Sequence, residues 1–283
     1  MLKLSVADLN LNIDGDINQF FIDRTEKYMS NFTGESDISI HFEYCSKIER
    51  PDGKIINQFG RSTNYYDLDG NYGYYLASPE DELIYLSTVF KKNHIFIKMY
   101  DYDNNPNMDF SYPLLNTTDR AIRLPLLNYD RLVLHASAIE YQNNGIAFSA
   151  PSGTGKSTQT ALWMENYPTT MINDDSPILK IEDNMTYIYG SPWAGSTGIS
   201  SSIKVPLRGI IFLEQAPVNS IEKISSPLAL MKIRTEISNP NERTYMLKTL
   251  DLLDKLLTNT ECYLLKCTPD KRASDLAKET LFK

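Results

Sequence analysis

The sequence predicts a mixed α/β protein in which a smaller β-rich domain, residues 1–125, precedes a nucleotide-binding domain, residues 126–283. Three observations predict this arrangement. Short tyrosine-rich runs before residue 125 are broken by Gly, Asn and Asp, as is typical of strands and turns. An apolar strand pattern at residues 145–149 leads through a glycine-rich turn into a helical pattern. Further strands and then helices follow, which is typical of an α/β domain.

The N-terminal domain is predicted to begin with a helix at residues 17–29 and to continue in strands such as "ISIHFEYC" and "LIYLSTVF". Two hairpins are expected, with turns at residues 69–71 and 91–93. The tyrosines fit either half-buried positions of a sheet or a surface that binds peptide. This domain is therefore a candidate for recognition of an acceptor molecule.

The C-terminal third of the chain is predicted to be helical. In the helix expected at residues 242–260, apolar side chains at helical spacing predict a buried face. These are Met246, Leu250, Leu253 and Leu257. In the final helix, Thr268 is predicted as N-cap and Pro269 as the first helical residue.

Composition excludes several classes of function. The chain has 283 residues, 42% of them hydrophobic, and carries a net charge of −8 with pI near 5.0, which argues against nucleic acid and anionic membrane as partners. No secretory signal or run of 18 apolar residues is expected to span a membrane. The three cysteines lack a metal-binding or redox spacing, which favours a reducing cytoplasm. A homo-oligomer is compatible with this composition.

The stretch "SAPSGTGKST", residues 149–158, has the composition of a phosphate-binding P-loop, with Ala150 in place of its usual first glycine. Gly153 and Gly155 allow backbone N–H groups to approach phosphates, Lys156 can reach the β and γ oxygens, and Ser157 can hold Mg²⁺. The predicted nucleotide-binding set comprises Ser152, Gly153, Thr154, Gly155, Lys156, Ser157 and Thr158. The alternative is an ordinary strand–helix turn. We predict a site for a nucleoside triphosphate and Mg²⁺.

Two adjacent carboxylates, Asp174 and Asp175, end the strand expected after the P-loop helix. One could serve Mg²⁺ and the other could accept a proton from an acceptor hydroxyl; the alternative is a solvated pair that opens a turn. His135, in the strand before the P-loop, is by its pattern either a core residue or a functional one. The Gly- and Ser-rich segment at residues 190–204 is either a loop over the reacting groups, with Lys204 on phosphate, or a hairpin loop without a ligand.

Together these residues resemble the HPr kinase/phosphorylase and phosphoenolpyruvate carboxykinase P-loop superfamily. The motifs that carry the resemblance are "HASAI", "APSGTGKST" and "NDDSPIL". The phrases "GSPWAG" and "VPLRGIIFLEQ" look closer still to the HPr-kinase-like peptide serine kinases of ribosomal peptide biosynthesis, including that of lasso peptides. The resemblance implies an HPr-kinase-like C-terminal domain with a mixed sheet and C-terminal helices.

The resemblance also implies roles for individual residues and an activity. Lys156 would bind phosphates and Ser157 would hold Mg²⁺. The catalytic carboxylate would fall on the pair Asp174/Asp175, with Asp175 preferred as base and Asp174 as metal ligand, although the opposite assignment stays open. His135 would tune or relay protons to that carboxylate. ATP would donate a phosphoryl group to a hydroxyl, most simply a serine of a precursor peptide or small protein. Around residues 187–190 the chain lacks the metal-binding glutamate of the HPr kinase/phosphorylases. The sequence also lacks their second conserved segment, which is associated with the reverse reaction, so the resemblance does not imply that reaction.

Two alternatives remain open at the level of sequence. The first is a kinase whose acceptor is a small molecule such as serine or a sugar. The second is a nucleotide-sensing module that docks a partner without turnover.

Overall fold

A computed structural model describes residues 1–80, 82–101, 111–238, 240 and 242–283. The chain divides into two compact units. The first contains residues 1–125 and 241–243, and the second contains residues 126–240 and 244–283. Within the described residues, no helix is both long enough and apolar enough to cross a membrane.

The first unit is built on an eight-stranded sheet in the order β1-β2-β3-β8-β7-β6-β5-β4. Its strands are β1 (Leu2–Val6), β2 (Leu9–Gly15), β3 (Ile38–Cys45), β4 (Gly53–Phe59), β5 (Ser62–Asp67), β6 (Tyr72–Ala77), β7 (Ile84–Lys91) and β8 (His94–Tyr100). Its helices are α1 (Gln19–Thr25), a 3₁₀ turn at Glu26–Tyr28, and α2 (Ser111–Leu126), through which the chain leaves the unit.

The two predicted hairpins are confirmed, because β5 pairs antiparallel with β6 and β7 with β8. The first helix is shorter than predicted. The Asn18 side chain accepts a hydrogen bond from the Phe21 backbone N–H and caps α1, and the backbone tightens into a 3₁₀ turn after Thr25. Four tyrosines of β5 and β6 are buried, so these four serve packing of the sheet: Tyr65, Tyr72, Tyr74 and Tyr75.

The second unit has a mixed sheet and helices, as predicted. Its strands are β9 (Arg131–Val133), β10 (Ala136–Tyr141), β11 (Asn144–Ser149), β12 (Thr170–Asn173), β13 (Ile178–Ile181), β14 (Thr186–Tyr189), β15 (Lys204–Gln215), β16 (Ser220–Lys223) and β17 (Cys262–Cys267). The helices after α2 are α3 (Lys156–Asn166), α4 (Ser226–Glu236), α5 (Arg243–Asn259) and α6 (Lys271–Leu281), with a 3₁₀ turn at Leu127–Tyr129.

The central strands of the second unit run parallel. β15 pairs parallel with β11 on one side and with β17 on the other. β10 and then β12 continue the sheet beyond β11 with antiparallel pairing. The first residues of β15 pair instead with β14, which leads to β13 and β9. Since β11, β15 and β17 are parallel, their carboxyl ends meet at one edge, where open α/β sheets bind ligands.

A buried aromatic cluster fixes helix α3 on this sheet. Trp163 of α3 is fully buried and packs edge-on against Tyr141, with ring centroids 5.5 Å apart. Phe148 of β11 and Ala277 of α6 belong to the same core. Removal of so much apolar surface from water stabilises the position of α3, and therefore of the loop that precedes it.

Of two local predictions in the C-terminal helices, one is confirmed only in part and the other is wrong. The buried face of α5 consists of Thr249, Leu252, Leu253 and Leu256, so Leu253 is buried as predicted, whereas Met246 and Leu250 are about half exposed and Leu257 is partly exposed. The reason is that α5 has apolar residues on more than one face, so spacing alone does not choose between them. The cap of α6 is Asp270, which accepts from the Ala273 N–H, while the Thr268 N–H donates to the Asn219 side chain.

Candidate active site

The glycine-rich loop joins β11 to α3, which confirms the predicted strand–turn–helix. Gly153 and Gly155 have φ of +79° and +126°, in the region that favours glycine. A Cβ at either position would meet no atom within 4 Å. Glycine is therefore favoured here by the backbone conformation, which would strain a residue with a side chain, and not by lack of space. Gly155 caps α3 without a side-chain hydrogen bond, which leaves the first N–H groups of the helix available to an anion.

Lys156 begins α3 and is buried. Its Nζ donates to the Ala150 carbonyl oxygen at 2.7 Å, so the ammonium lies against the first residue of the loop. Burial lowers the pKa of Lys156, and the negative charges of Glu236 and Asp175 oppose that shift. The Lys156 ammonium is therefore close enough to Glu236 and Asp175 for their charges to stabilise its protonated form.

Backbone hydrogen bonds bring His135 and two acidic residues together. His135 lies between β9 and β10, where its N–H donates to the Glu236 carbonyl at 2.8 Å. The N–H of the next residue, Ala136, donates to the Asp175 carbonyl at 3.0 Å. Both bonds lie where β10 begins and β12 ends, and Ala136 pairs there with Ser149, the last residue of β11 before the loop, so the three residues lie beside the loop.

The side chains of Glu236, His135 and Asp175 form a chain of contacts. His135 Nδ1 lies 2.8 Å from Glu236 Oε2, and Nε2 lies 3.4 Å from Asp175 Oδ1. Contact with Asp175 raises the pKa of His135 against the effects of burial and Lys156. The same contact holds the pKa of Asp175 below its usual value. Asp175 is therefore ionised at neutral pH, with the imidazole beside it.

Glu236 is the one residue of these contacts that the sequence analysis did not identify. Its side chain is 5% exposed, and it is the last residue of α4, where the helix dipole disfavours an anion. A buried carboxylate in that position needs a partner, and His135 supplies one. No motif marks Glu236, because it lies 101 residues beyond His135 in the chain.

Asp174 is bound to the segment at residues 190–204. Its Oδ1 accepts from the Gly195 N–H at 2.6 Å, and its Oδ2 accepts from the Thr197 hydroxyl. A Cβ at Gly195 would stand 3.1 Å from the Asp175 Cβ, so the absence of a side chain lets this backbone approach the carboxylate pair. The Lys204 ammonium instead lies about 5 Å from the ring centroids of Tyr187 and Tyr189.

The start of this segment is held by tight backbone packing, which gives a stability prediction. A Cβ at Gly190 would lie 1.7 Å from the Ser201 carbonyl oxygen and 2.7 Å from that of Ile172. We expect Gly190→Ala to lower the free energy of unfolding by about 2–4 kcal/mol, since backbone would have to move. Urea denaturation measures it. Gly209→Ala is the control, because its closest contact is a side-chain atom of Leu281 at 3.1 Å; an equal loss in both variants would contradict the argument.

The structure thus brings Lys156, His135 and Asp175 together and places Asp174 next to them. The donor set fits Mg²⁺ in its chemistry, because the Ser157 hydroxyl, exposed in the first turn of α3, and the Asp174 carboxylate are both hard oxygen ligands. Both Asp174 oxygens already accept hydrogen bonds, yet each retains a further lone pair. The assignment of Ser157 and Asp174 to the metal remains a prediction.

Comparisons with known proteins give little beyond this geometry. No family model matches the sequence, and no curated protein matches it. Among solved structures, the chain is similar to the Hpr(Ser) kinase/phosphatase from Coxiella burnetii, with 14% identity over 53% of this chain and 92% of that chain, and a TM-score of 0.31. A similarity at this level carries no argument about activity, so function must be argued from the site itself.

Proposed function

We propose that the chain is an ATP- and Mg²⁺-dependent kinase that transfers the γ-phosphoryl group to a hydroxyl, in the first instance a serine of a precursor peptide or small protein. The observation that carries the proposal is the contact of Asp175 with His135, with 3.4 Å between Asp175 Oδ1 and His135 Nε2, at the edge of the sheet where β11 leads into the P-loop. A phosphate cradle alone would serve binding. A carboxylate beside the cradle, supported by His135, serves transfer to a hydroxyl.

In this mechanism the residues of the loop align the donor. The N–H groups of the first turn of α3 and the Lys156 ammonium bind phosphate oxygens and stabilise the charge that moves toward the bridging oxygen. Mg²⁺, held by Ser157 and Asp174, would supply further charge neutralisation on the β and γ oxygens. Most of the rate would come from alignment of the reacting groups.

Asp175 orients the acceptor hydroxyl for in-line attack. The hydroxyl oxygen bonds to the γ phosphorus, the bond from phosphorus to the bridging oxygen breaks, and ADP leaves. The hydroxyl proton passes to Asp175. Because its pKa is held low, Asp175 is a weak base. Its main role is therefore to orient the acceptor hydroxyl, and the proton is transferred late, after the bond to phosphorus has begun to form. His135 keeps Asp175 ionised and fixes the direction of its oxygens.

Glu236 acts as a positioning residue for His135, and this gives a prediction. We expect Glu236→Gln to lower kcat by about 10- to 100-fold with little change in the KM for ATP, because a charge-assisted hydrogen bond contributes about 1.5–3 kcal/mol. Steady-state kinetics with a fixed acceptor measures it. Glu214→Gln is the control, since Glu214 pairs with Lys232 outside this chain of contacts. An unchanged kcat in Glu236→Gln would show that His135 needs no such support.

The class of acceptor is tested by tracing the γ-phosphoryl group. The purified protein is incubated with Mg²⁺ and γ-labelled ATP in a desalted lysate of its source, and again after the small-molecule fraction is returned. Label on a short polypeptide supports the proposal. Label on a metabolite alone favours the small-molecule kinase, and bound ATP with no labelled acceptor favours the sensor module.

Two further features belong to the proposal. The first unit, with its eight-stranded sheet, is the part of the chain that we assign to acceptor recognition, because the second unit already contains every residue of the site. The three cysteines are free thiols, which supports a reducing compartment such as the cytoplasm.

A further inference from the structure

Asn173, the last residue of β12, carries a fully buried side chain directly before the carboxylate pair. Its Oδ1 accepts hydrogen bonds from the backbone N–H groups of Asp175 at 2.8 Å and of Ser176 at 2.6 Å. An asparagine that accepts hydrogen bonds from the N–H groups just after it in the chain folds the backbone there into a turn. The turn that carries Asp175 is therefore shaped by Asn173.

The amide nitrogen of Asn173 is bonded to the start of the segment at residues 190–204. Nδ2 donates to the Ser191 carbonyl oxygen at 2.9 Å and to the Ser191 hydroxyl at 3.1 Å. Ser191 is fully buried, and its hydroxyl donates to the Ser176 carbonyl at 2.7 Å. Asn173 thus makes four side-chain hydrogen bonds, as many as the two donors and two lone pairs of an amide allow.

Ser176 connects this buried cluster to the reacting carboxylate. Its N–H is held by Asn173 and its carbonyl by Ser191, so its backbone is fixed on both sides. Its hydroxyl donates to Asp175 Oδ2 at 3.2 Å, while Asp175 Oδ1 faces His135. Each oxygen of Asp175 is therefore contacted by a different group, and the direction of the carboxylate depends on where those two groups are held.

The exposure of Asn173 and Asp175 separates their roles. Asn173 is 0% exposed, whereas 42% of the Asp175 side chain is exposed. An acceptor can therefore reach Asp175 but not Asn173. An effect of Asn173 on transfer must pass through the turn and through Ser176.

We infer that Asn173 is a positioning residue for Asp175, and that Ser191 anchors it. The inference rests on the proposed function, and it adds to that function the buried residues that set the direction of the carboxylate. A displacement of about 1 Å in a reacting group can cost about 100-fold in rate. Loss of Asn173 should therefore lower the rate of transfer far more than the affinity for ATP.

The test measures turnover at saturating γ-labelled ATP with a fixed amount of the lysate fraction that takes up label. Asn173→Ala should lower this turnover by about 10- to 100-fold, with ATP affinity by calorimetry changed by less than about threefold. Asn166→Ala is the matched control, because Asn166 Nδ2 donates to the Leu162 carbonyl at the end of α3 opposite the loop. It should leave turnover within about twofold.

A double variant separates positioning from general damage to the structure. If Asn173 acts through Asp175, Asn173→Ala should cost less than about twofold once Asp175→Asn is present. A loss as large as that in the unaltered background would overturn the inference. Ser191→Ala removes only the hydroxyl of the anchor, so it serves if Asn173→Ala does not fold. It should lower turnover by about threefold or more with ATP affinity retained.

Two further outcomes distinguish this inference from the proposed function. Unchanged turnover in both Asn173→Ala and Ser191→Ala, or a loss of ATP affinity as large as the loss of rate, would overturn the inference and leave the proposed function standing. Absence of label transfer by the unaltered protein to any fraction of the lysate would overturn the proposed function and this inference together.

Discussion

Replacement of Lys156 by alanine is expected to lower kcat/KM for phosphoryl transfer by about 1,000-fold or more. The buried ammonium is the positive charge of the loop, and charge stabilisation at the phosphates is the largest contribution such a site makes. Loss of this ammonium also leaves Glu236 and Asp175 with less opposing charge. Transfer from γ-labelled ATP at several ATP concentrations measures the effect.

The control for this variant is Lys232→Ala, which removes a partly exposed lysine paired with Glu214 in the same unit. It should keep nearly all activity, because exposed ion pairs contribute little to stability and this one lies outside the site. Transfer by Lys156→Ala within tenfold of the unaltered protein would mean that the loop lysine is not part of the machinery.

Asp175→Asn is expected to lower kcat by about 100-fold or more while ATP affinity changes by less than about threefold. The amide keeps the shape of the carboxylate but can neither take the proton nor carry the charge that His135 faces. Single-turnover transfer measures the chemical step, and calorimetry measures ATP binding. The two measurements together separate loss of chemistry from loss of the nucleotide.

Asp183→Asn is the matched control, because Asp183 is an exposed aspartate of the same unit in the turn that joins β13 to β14. A normal rate in Asp175→Asn would exclude Asp175 as the orienting base and direct attention to Asp174. Equal losses in ATP binding and in rate would show instead that the substitution disturbs the cradle.

Local chemistry explains what the sequence could predict. The P-loop can be recognised in the sequence because its glycines, lysine and serine lie within a few residues of one another, with an apolar strand before them and a helix after them. The carboxylate pair can be recognised because it directly follows β12, the next strand in the chain. In both cases the residues that act together are also close in the chain.

Contacts between distant segments explain what the sequence could not predict. Glu236 reaches His135 only because a strand end and a helix end meet, and nothing near Glu236 marks that meeting. The pocket lined by Thr158, Gln159, Gln215 and Cys267 likewise combines α3 with the ends of β15 and β17. The buried face of α5 was predicted only in part for a related reason. Several sides of this helix are apolar, and only tertiary packing selects the buried one.

Activation of a hydroxyl acceptor for phosphoryl transfer is measured by the rate of ADP release with and without the lysate fraction that contains the acceptor. We expect this fraction to raise ADP release by the unaltered protein by about tenfold or more, and we expect Asp175→Asn to lose the stimulation while it still binds ATP. ADP release that is the same with and without the acceptor fraction would contradict the claim and would indicate a protein that binds or slowly hydrolyses ATP.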